Sequence, residues 1–100
     1  MERLVHLNAV RRAAGLVLAA SLQLSLSEMW DEAAHEIAPA FDALAGAVLG
    51  SETLTAASYR RSVETAYEAV ANLVNLNEVM PLPQSAYRDL VEAAVVLQDC

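Results

Sequence analysis

The chain has 100 residues, of which 56% are apolar, 5% aromatic and 19% charged, with 13 acids against 6 bases and a net charge of −7. Such hydrophobicity excludes a disordered tail, and three Gly, three Pro and a single Cys exclude collagen-like, low-complexity and disulfide-scaffold classes. A negative chain also repels phosphate backbones, so direct nucleic-acid binding is not expected.

Alanine (20 copies) and leucine (15) dominate, while Ile and Thr are scarce. Ala and Leu are strong helix formers, and β-branched and aromatic residues mark strands, so the expected class is all-α. No linker or internal repeat divides the sequence, which predicts one domain over residues 1–100, built as a small antiparallel bundle of about four helices.

The first helix is predicted from Glu2 to Leu24. Residues 13–26 carry no charge and are apolar almost all round, which suits a central helix covered on most sides. A membrane reading is disfavoured, because a span needs about 20 apolar residues and Ser21, Gln23 and Ser25 interrupt this run. An export signal is the alternative reading of residues 1–26, with Arg11-Arg12 ahead of an apolar stretch; the expectation is a cytoplasmic protein.

Ser25 and Glu28 stand at capping-box spacing, with Ser27 a rival cap, and Asp31 and Glu32 add negative charge where a helix dipole favours it. Trp30, Ala34, Ile37, Phe41, Leu44 and Val48 then repeat at heptad-like spacing that keeps its phase across Pro39. This predicts one second helix, kinked at Pro39 and running to about Leu49, with Gly50 as its stop.

Ser51 or Thr53 is the expected cap of a third helix, whose apolar face is Tyr59, Val63, Ala66, Tyr67, Val70, Leu73 and Val74. It should fray near 75–78, ahead of Met80-Pro81-Leu82-Pro83. Ser85 is the expected cap of a fourth helix from Ala86 to about Gln98, facing inward through Tyr87, Leu90, Val91, Ala94, Val95 and Leu97.

So small a bundle has much surface for its volume, and this predicts self-association as a homodimer or larger assembly. Leu16, Val17, Ala20 and Leu24 of the first helix and Val91 and Val95 of the fourth are the expected interface.

Charge is segregated along the chain. Residues 1–26 carry Arg3, Arg11 and Arg12 against Glu2, whereas residues 27–50 hold five acids and no base. Those acids, Glu28, Asp31, Glu32, Glu36 and Asp42, form the expected partner-binding surface, one suited to a protein with a basic face. The leading expectation is a helical protein–protein interaction protein acting as an adaptor, assembly subunit or inhibitor.

The chief alternative is a metal protein. Glu32 and His35 have the i, i+3 spacing of carboxylate-bridged di-iron bundles, and Glu28 lies one turn earlier. Against it, neither Glu64 nor Glu68 has a histidine three positions on. No nucleophile motif, phosphate loop, CxxC or HExxH is present, so neither catalysis nor a cofactor is expected. Arg11-Arg12 and Arg60-Arg61 read as surface charges, and Tyr59 and Tyr67 have core spacing.

Overall fold

A computed structural model of the chain describes residues 2–28, 30–50, 55–79 and 81–99, with side chains from Leu7 onward within that set. It contains four helices, α1 (Glu2–Leu24), α2 (Trp30–Leu49), α3 (Ala56–Val79) and α4 (Gln84–Gln98), and no strand among the described residues. Each helix packs on the next, and α4 closes back onto α1, which gives a small four-helix bundle. Short connections make sequential neighbours antiparallel, so the bundle is an up-down-up-down rod with Cα extents of 40 × 19 × 19 Å.

The core repeats at the 3–4 spacing of left-handed helix packing. On α2 it is Ala33, Ile37, Ala40, Leu44 and Ala47; on α4 it is Ala86, Leu90, Ala93 and Leu97. Both seams alternate a small with a large side chain, so each Ala leaves room for a Leu, Ile or Val opposite. On α1 the buried set is Leu7, Val10, Ala13, Val17, Ala20 and Leu24, and on α3 it is Tyr59, Val63, Ala66, Ala69, Val70 and Leu73. No polar or charged side chain is buried among the described residues.

This corrects the phase expected for α2. Ile37 and Leu44 are in the core as predicted, but Trp30, Ala34, Phe41 and Val48 are only half-buried along one flank. Ala33, Ala40 and Ala47 take the innermost positions instead. The same shift holds on α4, where Tyr87, Val91 and Ala94 flank the core, Val95 is exposed, and Ala86 and Ala93 lie inside.

Helix α2 runs without interruption through Pro39. The proline ring is exposed, so it faces water and no packed neighbour has to yield to it. The ends differ more from expectation. Ser25 Oγ donates to the Leu22 carbonyl and Ser27 Oγ to the Leu24 carbonyl, both at 2.7 Å. These serines therefore help to finish α1, and the Ser25–Glu28 capping box is not formed. Thr55 caps α3, its Oγ1 accepting from the Ser58 amide at 3.1 Å; the expected caps Ser51 and Thr53 lie outside the described residues. Ser85 lies inside α4, which begins one residue earlier behind Pro83. Asn77 Oδ1 accepts from the Leu82 amide at 2.9 Å, so α3 continues to Val79 rather than fraying, and Leu82 is drawn into the core.

Candidate interaction surface

With the core turned inward, α2 presents Asp31, Glu32, His35, Pro39 and Asp42 to solvent, and Glu28 is exposed just before the helix. Like charges at i, i+4 on a helix repel, so the pair Glu32–Glu36 weakens α2 by a few tenths of a kcal/mol. The helix dipole offsets part of that cost for Asp31 and Glu32 in the first turn. No base stands anywhere on α2 to neutralise the remainder.

Glu36 does not belong to the open face. It is half-buried, and its Oε2 accepts from Asn72 Nδ2 of α3 at 3.3 Å. Of the five acids expected at a partner surface, Glu28, Asp31, Glu32 and Asp42 are therefore free-standing on the solvent side, while Glu36 joins two helices.

The expected interface of α1 and α4 is changed more deeply. Val17, Ala20 and Leu24 are fully buried within the single chain, because α2 and α4 already cover that side of α1. They are core residues and meet no second subunit in this fold. Leu16 and Val91 are half-buried, and Val95 alone of the six is exposed. Among the described residues, the large apolar side chains left in water are Leu18, Leu22, Leu26, Leu49, Val79 and Val95. Apart from Val95, the sequence pattern did not single these out. Leu18 and Leu22 carried no signal, because residues 13–26 are apolar almost all round.

The metal reading finds no support in the geometry. Among the described residues no group of three or more His, Cys, Asp or Glu side chains is placed to hold an ion. Glu28, Glu32 and His35 all face solvent, where no carboxylate from another helix completes a coordination shell. Among the described residues, no helix is long and apolar enough to cross a membrane.

Two surface features escaped the sequence reading. A shallow pocket of about 410 Å³ lies between α3 and α4, lined by Val63, Glu64, Tyr67, Glu68, Leu97 and Gln98. Arg12 of α1 pairs with Glu92 of α4 across 80 residues of sequence. Both partners are well exposed, so the pair contributes at most about 1 kcal/mol to stability. It explains why Arg12 is not a free cation. Neither feature is visible in spacing, since each depends on which helices become neighbours.

Comparison with known proteins finds no matching family model, no matching curated protein and no matching solved structure.

Proposed function

We propose that this chain is a small protein-interaction module that uses the open acidic face of α2 to engage a basic surface of a protein partner, as an adaptor, assembly subunit or inhibitor. The observation that supports this reading is the exposure of Glu28, Asp31, Glu32 and Asp42 on and beside a helix without a single base. Crowding these acids together without a neutralising base costs the isolated protein some stability, which the helix dipole offsets only in part. Against a positive surface the same field speeds encounter and fixes orientation.

The test is charge reversal of Asp31, Glu32 and Asp42 together, followed by binding to a lysine-rich peptide at low and high salt. Affinity should fall about tenfold or more and lose its salt dependence, with the helical circular dichroism unchanged. Glu36 is left intact, because its reversal would also break the contact with Asn72. Equal affinity in the reversed protein defeats the reading.

A further inference from the structure

The outward side of α1 differs in kind from that of the other helices. Val10, Ala13, Val17, Ala20 and Leu24 face the core, while Arg11, Gly15, Leu18 and Leu22, spaced by four, three and four residues, are exposed on the opposite side. Leu18 is 47% and Leu22 63% exposed. No charged residue stands between Arg12 and Glu28, whereas the exposed sides of α2, α3 and α4 carry Asp42, Glu68 and Arg88 among others. A Cβ placed on Gly15 would meet no atom of the chain within 4 Å, so the helix surface there is an open seat next to Leu18.

Charge stands only at the two ends of this stripe, and with opposite sign. Arg11 is exposed at its start and has no ion-pair partner among the described residues, unlike Arg12, which holds Glu92. Beyond Leu22 the backbone winds on through Ser27, hydrogen-bonded to the last turns of α1, and reaches exposed Glu28, with Asp31 and Glu32 following. The net charge of −7 makes most faces of two copies repel each other. Along residues 13–27 of this stripe nothing local adds to that repulsion.

We infer that two copies of this chain pair through the outer stripe of α1, antiparallel and about a twofold axis. Antiparallel pairing sets the Arg11 end of each copy against the Glu28 end of the other, twice over; parallel pairing sets like charge against like. With Arg11 level with Glu28 of the second copy, that copy's Leu22 comes level with Val17. It therefore drops between Gly15 and Leu18, into the open seat. Other occupants fit less well. An anionic lipid surface is repelled by the acids beside the leucines, and a basic helix finds no acid along the stripe. The stripe is about 25 Å long and one helix wide, which puts the contact at the low end of specific interfaces and its dissociation in the micromolar range. The pairing does not rest on the engagement of a basic partner by α2.

The experiment is sedimentation equilibrium of the full chain from about 1 to 300 µM, a range that brackets a micromolar dissociation constant. The average mass should climb from 10.7 kDa toward twice that value. The double variant Leu18→Ser, Leu22→Ser should weaken the dimer about a hundredfold, since four aliphatic side chains leave the contact. Val79→Ser removes a side chain that is 75% exposed on α3, a helix that packs on α2 and α4, and should dimerise like the parent. Arg11→Glu and Glu28→Arg should each weaken the dimer about fivefold, because every pair occurs twice. The combined variant Arg11→Glu, Glu28→Arg should recover the parent affinity. All these side chains are exposed, and circular dichroism checks that the helices persist.

A parent protein that stays a monomer throughout overturns the inference, and if that monomer floats with vesicles unless Leu18 and Leu22 are replaced, the stripe belongs to a lipid surface. A Leu18, Leu22 double variant that dimerises like the parent overturns it as well, because the contact then lies elsewhere. Should the two charge changes add their losses when combined, Arg11 does not face Glu28 and the antiparallel arrangement falls. Each of these results leaves the reading of the acidic face of α2 to its own peptide-binding test.

Discussion

The side-chain oxygen of Asn77 accepts a hydrogen bond from the backbone amide of Leu82, five residues on, and so anchors the α3–α4 connection to the last turns of α3. Prolines at 81 and 83 cannot donate, so the Leu82 amide is the one backbone donor among residues 81–83, and Asn77 satisfies it. Replacing Asn77 with Ala leaves that amide without its acceptor, at a cost of about 1–2 kcal/mol. The urea midpoint should fall while the m-value stays constant. Asn75→Ala, at an exposed position two residues earlier, serves as the control and should leave the midpoint in place.

Leu44 and Leu49 are five residues apart on one helix and should behave oppositely. Leu44 is fully buried and Leu49 is 86% exposed. Leu44→Ala should cost about 2–5 kcal/mol, through lost burial plus a residual cavity. Leu49→Ala should stay within about 0.5 kcal/mol of the parent. Ala40→Leu probes the other half of the packing scheme. If the small positions exist to admit a neighbouring helix, overpacking there should destabilise by about 1–3 kcal/mol in the same urea series; a stabilised variant would count against it.

Capping separates two residues that look alike in sequence. Thr55→Ala removes the oxygen that accepts from the Ser58 amide and should cost about 0.5–2 kcal/mol. Ser85 lies within α4, so Ser85→Ala trades a moderate helix former for the best one and should be neutral or slightly stabilising. Paired thermal melts decide the point. A large loss at Ser85 would restore it as a cap.

Pro39 is a proline inside a continuous helix, and it denies the His35 carbonyl its usual partner. Since its ring is exposed, Pro39→Ala restores a backbone donor without disturbing any packed side chain. Greater freedom of the unfolded chain takes back about 0.4–1 kcal/mol. The net expectation is a gain of about 1–2 kcal/mol, which for a chain of this size raises Tm by roughly 4–16 °C. A lower melting temperature would show that Pro39 shapes α2 in a way its packing needs.

Much of the architecture was legible in the residues. Charge-free residues 13–26 and the long Ala- and Leu-rich stretches pointed to helices, and α1 has the ends expected of it. The apolar phase that does not slip at Pro39 rightly implied one helix rather than two. Of the candidate site, the acids on the solvent side of α2 were readable from period alone, because Asp31, Glu32 and Asp42 fall opposite the seam, while Glu28 lies just ahead of the helix. Glu36 was not. One turn beyond Glu32, it leans toward α3, and only the presence of Asn72 there shows that it is engaged.

Local chemistry therefore determined where the helices lie and that four of them form a bundle, because propensity, charge and proline act within a turn or two. Tertiary structure decided which side of each helix faces in. Hydrophobic size favoured Trp30, Phe41 and Val48 as the seam of α2, yet these large side chains reach the core from the flank, while Ala33, Ala40 and Ala47 occupy its centre. How closely a second helix approaches sets that choice, and closeness belongs to the pair of helices and cannot be read from either alone. The same reasoning moves Val17, Ala20 and Leu24 from a subunit interface into the interior: the neighbours that cover them are supplied by residues 30–49 and 84–98 of their own chain.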